Sequence, residues 1–294
     1  MSMRDRAMLV QPRLTLWGAT KRKPKMATET AERHGMQRGT VRTDVLLVPD
    51  WALKPVRSAR TTALSLHERM TVPWFTNGTG MLPSELYFEY VKGLNKVRDE
   101  QFLPAVEDLA LSLDTLKLEG QARFGNAYDE RDWPVSADDL RSRFSFDVIF
   151  TPLPDAGDIR LNIEAEELSE VRRVTEERIN AQYKAATREL WQRVQATVEA
   201  SLSSLKAYGE TGENRKRMRT FRDSVVDNLR SQVEWCRKLN LSADTELETY
   251  LAKVEHDLCF YEPEDLRKHE SIRDDVVQKA ETILAGMSAY TGAE

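Results

Sequence analysis

Lys21, Arg22, Lys23 and Lys25 form one basic cluster, and Arg215, Lys216, Arg217 and Arg219 form a second. Residues of this type at this spacing can neutralise phosphates, so both clusters are candidate nucleic-acid contacts. The second opens a helical pattern, where positive charge opposes the helix dipole by roughly a few tenths of a kcal/mol and calls for an outside anion or neighbouring glutamates. Neither cluster has the interleaved rings of a single-strand platform, since only Trp17 lies near the first and Phe221 near the second. Glu164, Glu166, Glu167 and Glu170, followed by Glu176 and Glu177, could gather a divalent cation. They lack the histidine partners of a di-metal bundle and sit where a helix N-terminus favours carboxylates.

Other constellations are incomplete. His256 and Cys259 lie three apart on one helical face, but no second Cys or His pair completes a zinc set, and Pro263 interrupts the route to His269. Gly78-Thr79-Gly80 lacks the third glycine of a dinucleotide loop and runs into Leu82-Pro83 instead of a helix. No Lys-Ser or Lys-Thr closes a nucleotide cradle, and neither His34 nor His67 stands near a nucleophile motif. The sequence therefore assigns no catalytic residue, no cofactor and no metal.

The elements that would position these clusters are mostly helical. Phe144, Phe146, Val148 and Phe150 alternate with Ser145, Asp147, Ile149 and Thr151; a Pro/Gly turn follows, and Ile159, Leu161 and Ile163 alternate on the return, which predicts a β-hairpin. From Glu164 the period becomes helical through Leu168, Ile179, Leu190, Val194, Val198 and Leu205 to Gly209. At 1.5 Å per residue a helix of about 45 residues is roughly 65 Å long. Such a rod needs other helices or another subunit to cover its stripe, so Leu190, Val194 and Val198 are candidate self-association residues.

Upstream, Arg13 to Trp17 reads as a strand able to join the hairpin, after an N-terminal stretch without period. Helices are expected over residues 28–35, over Val56 to Met70, and from a Ser84 cap through Leu94 and Val97, with a kink or break at Pro104 before Val106, Leu109, Leu113 and Leu116. Thr71 to Pro83 reads as loop, Gly120 to Pro134 as an irregular bridge packed by its aromatics, and Ser136 with Asp139 as an approximate capping box. Beyond Gly209, helices are expected from about Asn214, after a cap at Ser242, and from Pro263.

The fold class expected is mainly α: an elongated bundle of long helices with a small antiparallel sheet made of the N-terminal strand and the central hairpin. Three segments follow, a basic arm over 1–43, a helical region over 44–143, and hairpin plus bundle over 144–294 continuous with it. Composition agrees, with 294 residues, 40% hydrophobic and 31% charged, in the range of globular proteins. No window approaches the roughly 18 apolar residues of a membrane span, and Met1 to Pro12 has no apolar core before a cleavage site, so neither export nor membrane insertion is expected. Two cysteines, Cys236 and Cys259, are too few for a disulfide framework and read as buried thiols in a reducing compartment. The net charge of -5 hides a basic N-terminal fifth, 13 Lys/Arg against 5 Asp/Glu in residues 1–60.

The order of these features resembles a phage-associated uncharacterised family often encoded beside MoxR-type AAA+ ATPases and von Willebrand A-like proteins. The resemblance rests on Trp17-Gly18 ending the first strand, the segment Pro49 to Pro55 before a helix, the loop Pro73 to Pro83, the Phe144 to Phe146 strand and the helical C-terminal half, about two thirds of the chain. It implies a phage or prophage origin, a setting in the cytoplasm of the bacterial host, and work with an AAA+ ATPase. It carries over no catalytic residues. The functional expectation is a non-enzymatic interaction protein, an adaptor or assembly component acting by self-association or by docking to a protein partner. Two other readings are a DNA-binding accessory of phage replication or recombination, and a metal-dependent enzyme using acidic residues not connected in sequence.

Overall fold

The computed structural model describes residues 3–75, 78–159, 164–209 and 223–291. The strands, in chain order, are β1 (Ala7–Thr15), β2 (Thr20–Arg22), β3 (Asp44–Leu46), β4 (Val72–Pro73), β5 (Gly80–Pro83) and β6 (Ser145–Pro152). The helices are α1 (Met3–Arg6), α2 (Pro24–Arg33), α3 (Asp50–Met70), α4 (Tyr87–Val97), α5 (Leu103–Leu111), α6 (Leu113–Phe124), α7 (Ala137–Ser142), α8 (Ala165–Gly209), α9 (Ser224–Leu239), α10 (Thr245–Leu258), α11 (Pro263–Lys268) and α12 (Glu270–Thr291). The protein is mainly helical with a small antiparallel sheet, as its patterning predicts.

Strands run in the order β4-β5-β1-β6, and β2 pairs with β3 separately. Ala7 to Val10 face Pro83 to Gly80 in antiparallel register, and Val72 faces Met81. Two expectations are corrected here. The first strand starts at Ala7, inside the stretch that shows no period, and Thr71 to Pro83 supplies two strands instead of loop. These strands are two and four residues long and end in prolines; β4 pairs with the nearby β5, and β5 finds β1 some 70 to 76 positions away, so no local pattern marks them. Ser84 does not cap a helix; its hydroxyl donates to the Arg6 carbonyl at 2.9 Å. Of the central hairpin, β6 forms, with β1 as its sheet neighbour. Most of the return strand, residues 160–163, lies outside the described residues.

Two compact units divide the chain. One, the bundle unit, takes Met1–Gln11, Glu68–Tyr87 and Phe150–Glu294; the other, the groove unit, takes Pro12–His67 and Phe88–Ile149. Each draws on separated segments of the chain.

In the bundle unit, α8 spans 45 residues, as its uninterrupted period and closing Gly209 predict. From Ile179 onward its apolar stripe is buried, and α9, α10 and α12 of the same chain pack against it. Leu190, Val194 and Val198 are all core residues here, so the stripe assigned to self-association is covered intramolecularly. The helices it needed come from its own sequence. Trp191 stacks on Tyr290 at 4.3 Å between ring centroids and meets Tyr250 edge-on, tying α8 to α10 and α12. Asp244 caps α10 in place of Ser242, accepting from the N–H groups of Glu246 and Leu247. A short turn of helix, α11, precedes α12 where one helix was expected from Pro263.

In the groove unit, Ala52, Leu53, Val56 and Ala59 of α3 share a core with Val106, Leu109, Leu113 and Leu116 of α5 and α6, closed by Trp133, Leu140 and Phe144. Gly120 lets the Trp133 ring lie against α6, since a Cβ there would collide with it. Residues 125–132 form two 3-10 turns under Tyr128 and Trp133, the aromatic bridge read from the sequence. Ser136 caps α7 by accepting from the Asp139 N–H at 3.2 Å, while the Asp139 carboxylate reaches the Val135 N–H instead of closing the box.

Candidate docking face

Pro104 has no N–H to donate, so the helix that begins at Tyr87 cannot pass it with an unbroken ladder. The chain answers with a π-helical turn over Arg98–Phe102, after which Pro104 occupies the first turn of α5. Such turns are rare and recur at functional sites. Here the turn swings Phe102 into the core and leaves Leu103 half-exposed.

Beside it lies a groove of about 440 Å³ within the groove unit, between the π turn and α5 on one side and Arg141 with Phe144 to Phe146 on the other. Its floor is apolar. Phe102 and Phe146 meet edge-on at 5.3 Å between centroids, over Val106 and Phe144. Its rim is electrically balanced: Arg98 pairs with Asp99 at 2.8 Å, and Arg141 clasps Glu107 through two hydrogen bonds of 2.8 and 2.7 Å while also reaching Asp138. The Arg141 hydrogen bonds hold the Glu107 carboxyl below its usual range, and the Val135 N–H followed by Arg143 does the same for Asp139.

Past the groove the outer face of α5 and α6 continues with Leu111, 71% exposed, and Leu118, 65% exposed. Ser112, at φ -86° and ψ 0°, separates the two helices, yet its N–H reaches the Asp108 carbonyl at 3.1 Å and its carbonyl accepts from the Leu116 N–H at 2.9 Å, so α6 continues close to the phase of α5. Seven residues bring the helix round to within about 20° of its start, so Leu111 and Leu118 stand in one file about 10 Å apart. Asp108, Asp114 and Glu119 flank that file, exposed, and their carboxylates make no ion pair among the described residues. Lys117, the one cation of α6 before its last turn, is directed to the Val135 carbonyl at 3.5 Å.

Lys21 and Lys23 both reach Asp132, at 3.3 and 2.5 Å, and Arg22 faces Asp44 across β2 and β3. A charge pair with a residue 109 positions away is what the first basic cluster does in this fold. Lys25 is exposed in the first turn of α2. Arg215, Lys216, Arg217 and Arg219 lie outside the described residues. Glu164, Glu166, Glu167 and Glu170 are exposed at the start of α8, with Arg173 bonded to Glu170 and Glu177. His256 is exposed and bonded to Asp257, whereas Cys259 is buried and its carbonyl accepts from Arg230. Among the described residues, no three His, Cys, Asp or Glu side chains converge as a metal site would. Burial pushes both the Cys236 and the Cys259 thiols up to about 11. His67 is buried against the Tyr90 hydroxyl at 2.8 Å, and burial raises that hydroxyl further above its usual range.

Sequence reasoning passed over Leu111 and Leu118. The signal was an excess: Leu109, Leu111, Leu113, Leu116 and Leu118 crowd ten residues, more than one helix face can bury. No family model, curated protein or solved structure matches the chain. No described helix is long and apolar enough to cross a membrane.

Proposed function

We propose that this chain is a non-enzymatic interaction protein, an adaptor or assembly component that holds a protein partner on the outer face of α5 and α6. The observation that supports this most is the file of Leu111 and Leu118, continued by the exposed Pro104 at the edge of the apolar groove. Isolated exposed leucines are ordinary, whereas a file of them leading into an apolar groove is a surface suited to being covered. The family resemblance makes an AAA+ ATPase the first partner to test, in a phage or prophage setting inside a bacterial host. Action on nucleic acid has weaker support, because Lys21 and Lys23 are engaged by Asp132.

Affinity-tagged chain, expressed in a bacterial host and recovered after nuclease treatment, provides the test. A protein retained by the wild type and lost from the Leu111→Lys, Leu118→Lys double variant is the expected result. Retention that vanishes with nuclease, or that ignores the double variant, overturns the reading. Light scattering on the same samples separates self-assembly, seen as a mass above 33.8 kDa, from a foreign partner.

A further inference from the structure

From the charges around the leucine file we infer that the partner presents a basic amphipathic helix, its apolar residues laid on Leu111 and Leu118 and its Lys or Arg side chains on Asp108, Asp114 and Glu119. This rests on the reading of α5 and α6 as a docking face.

Helical geometry fixes the layout. Relative to Leu111, Asp114 lies about 60° to one side and Asp108 about 60° to the other, with Glu119 beyond Asp108 at about 80°. The leucines are therefore bordered by carboxylate on both sides. Every one of these three carboxylates is without an ion pair among the described residues, in a protein that pairs many of its other surface charges. The acidity is local, since the groove unit as a whole holds 19 Lys/Arg against 17 Asp/Glu. An acidic partner would bring like charges together along both borders, and a neutral one would leave the carboxylates desolvated without compensation.

A helix fits better than a strand. Its apolar residues at positions i and i+7 match the spacing of Leu111 and Leu118, and a further apolar residue at the same helix's end can drop into the groove beyond Pro104, which stands in line with them. That groove, with balanced Arg98–Asp99 and Arg141–Glu107 pairs at its rim, suits an uncharged anchor such as leucine or phenylalanine. One surface thus combines an apolar anchor site with an acidic track, and the occupant needs the complementary order of features.

The probe is a fluorescein-labelled 18-residue helical peptide of leucine and lysine, with leucine at heptad spacing bordered by lysine, beside a control carrying glutamate for every lysine. Anisotropy titration against the full chain should show saturable binding of the lysine peptide, weakening as salt rises, and at least about tenfold weaker binding of the glutamate peptide. Asp114→Lys with Glu119→Lys should weaken the lysine peptide by about tenfold, and Leu111→Ser with Leu118→Ser should do at least as much. Glu166→Lys with Glu167→Lys, on the exposed start of α8, should leave it unchanged. Equal binding of both peptides, no binding of the lysine peptide, or equal weakening by the α8 pair overturns the inference. If the lysine peptide fails while the tagged chain still loses its cellular partner on substitution of Leu111 and Leu118, the docking reading stands and the basic helix does not.

Discussion

Leu190 and Leu111 both sit on long helical patterns, yet the first is 2% exposed and the second 71%. In the bundle unit α9, α10 and α12 return to α8 and cover its stripe, so the long helix that looked most in need of a partner finds one in its own chain. In the groove unit α5 and α6 bury one face on α3 and hold a second set of leucines in water. An apolar residue at helical spacing thus has two fates, set by whether the chain supplies a second layer, and only the uncovered one is open to a foreign surface.

Truncation separates these fates most sharply. Leu190→Ala should cost the bundle about 2–5 kcal/mol, while Leu111→Ala should change stability by less than about 0.5 kcal/mol, both read from urea unfolding. Equal losses would mean that Leu111 is packed in solution and would remove the contrast. A smaller effect is expected at Gly120, where an added Cβ meets the Trp133 ring. Gly120→Ala should destabilise by about 1–3 kcal/mol through overpacking, against almost nothing for Thr115→Ala on the exposed side of the same helix. Circular dichroism melts of the two variants would show the difference, and matching melts would mean that Trp133 can retreat.

Acid should produce the smallest effect. Glu107 is held low by Arg141, Asp139 by the Val135 N–H and Arg143, and Asp129 is lowered to about 2 by Arg131. Each is depressed in the folded state, so its contribution is complete above the ordinary carboxylate range and disappears as pH falls through the depressed value. Glu107 is exposed and the Asp129 and Asp139 side chains are each about a third exposed, which keeps the effect small. Melting temperature should therefore decline gently between about pH 4 and pH 2, and less in a Glu107→Gln, Asp139→Asn variant. Identical slopes would show that these pairs do not report on the groove unit.

Much of this architecture was legible because it is written locally. An unbroken period with Gly209 at its end specifies α8, Pro104 marks the break before α5, and Ser136 marks the start of α7. What escaped depends on distant residues. β4 and β5 are too short and too proline-bound to show a period, and of β1 only the end, Arg13 to Thr15, falls in the strand read from the sequence, its start at Ala7 being marked by β5 beside it. The first basic cluster reads as free charge until Asp132 is brought to it. For the docking face, a helical period shows which residues share a side but not which side is covered, so Leu111 and Leu118 were hidden among the leucines that do enter the core.

The interleaving of the two units also orders events in time. All of the groove unit's residues precede Phe150, whereas the bundle unit requires α12, near the C-terminus. A ribosome therefore completes the leucine file, the groove and the acidic border before it makes α8 to α12. A partner waiting at the exit tunnel would meet the outer face of α5 and α6 before the bundle is complete.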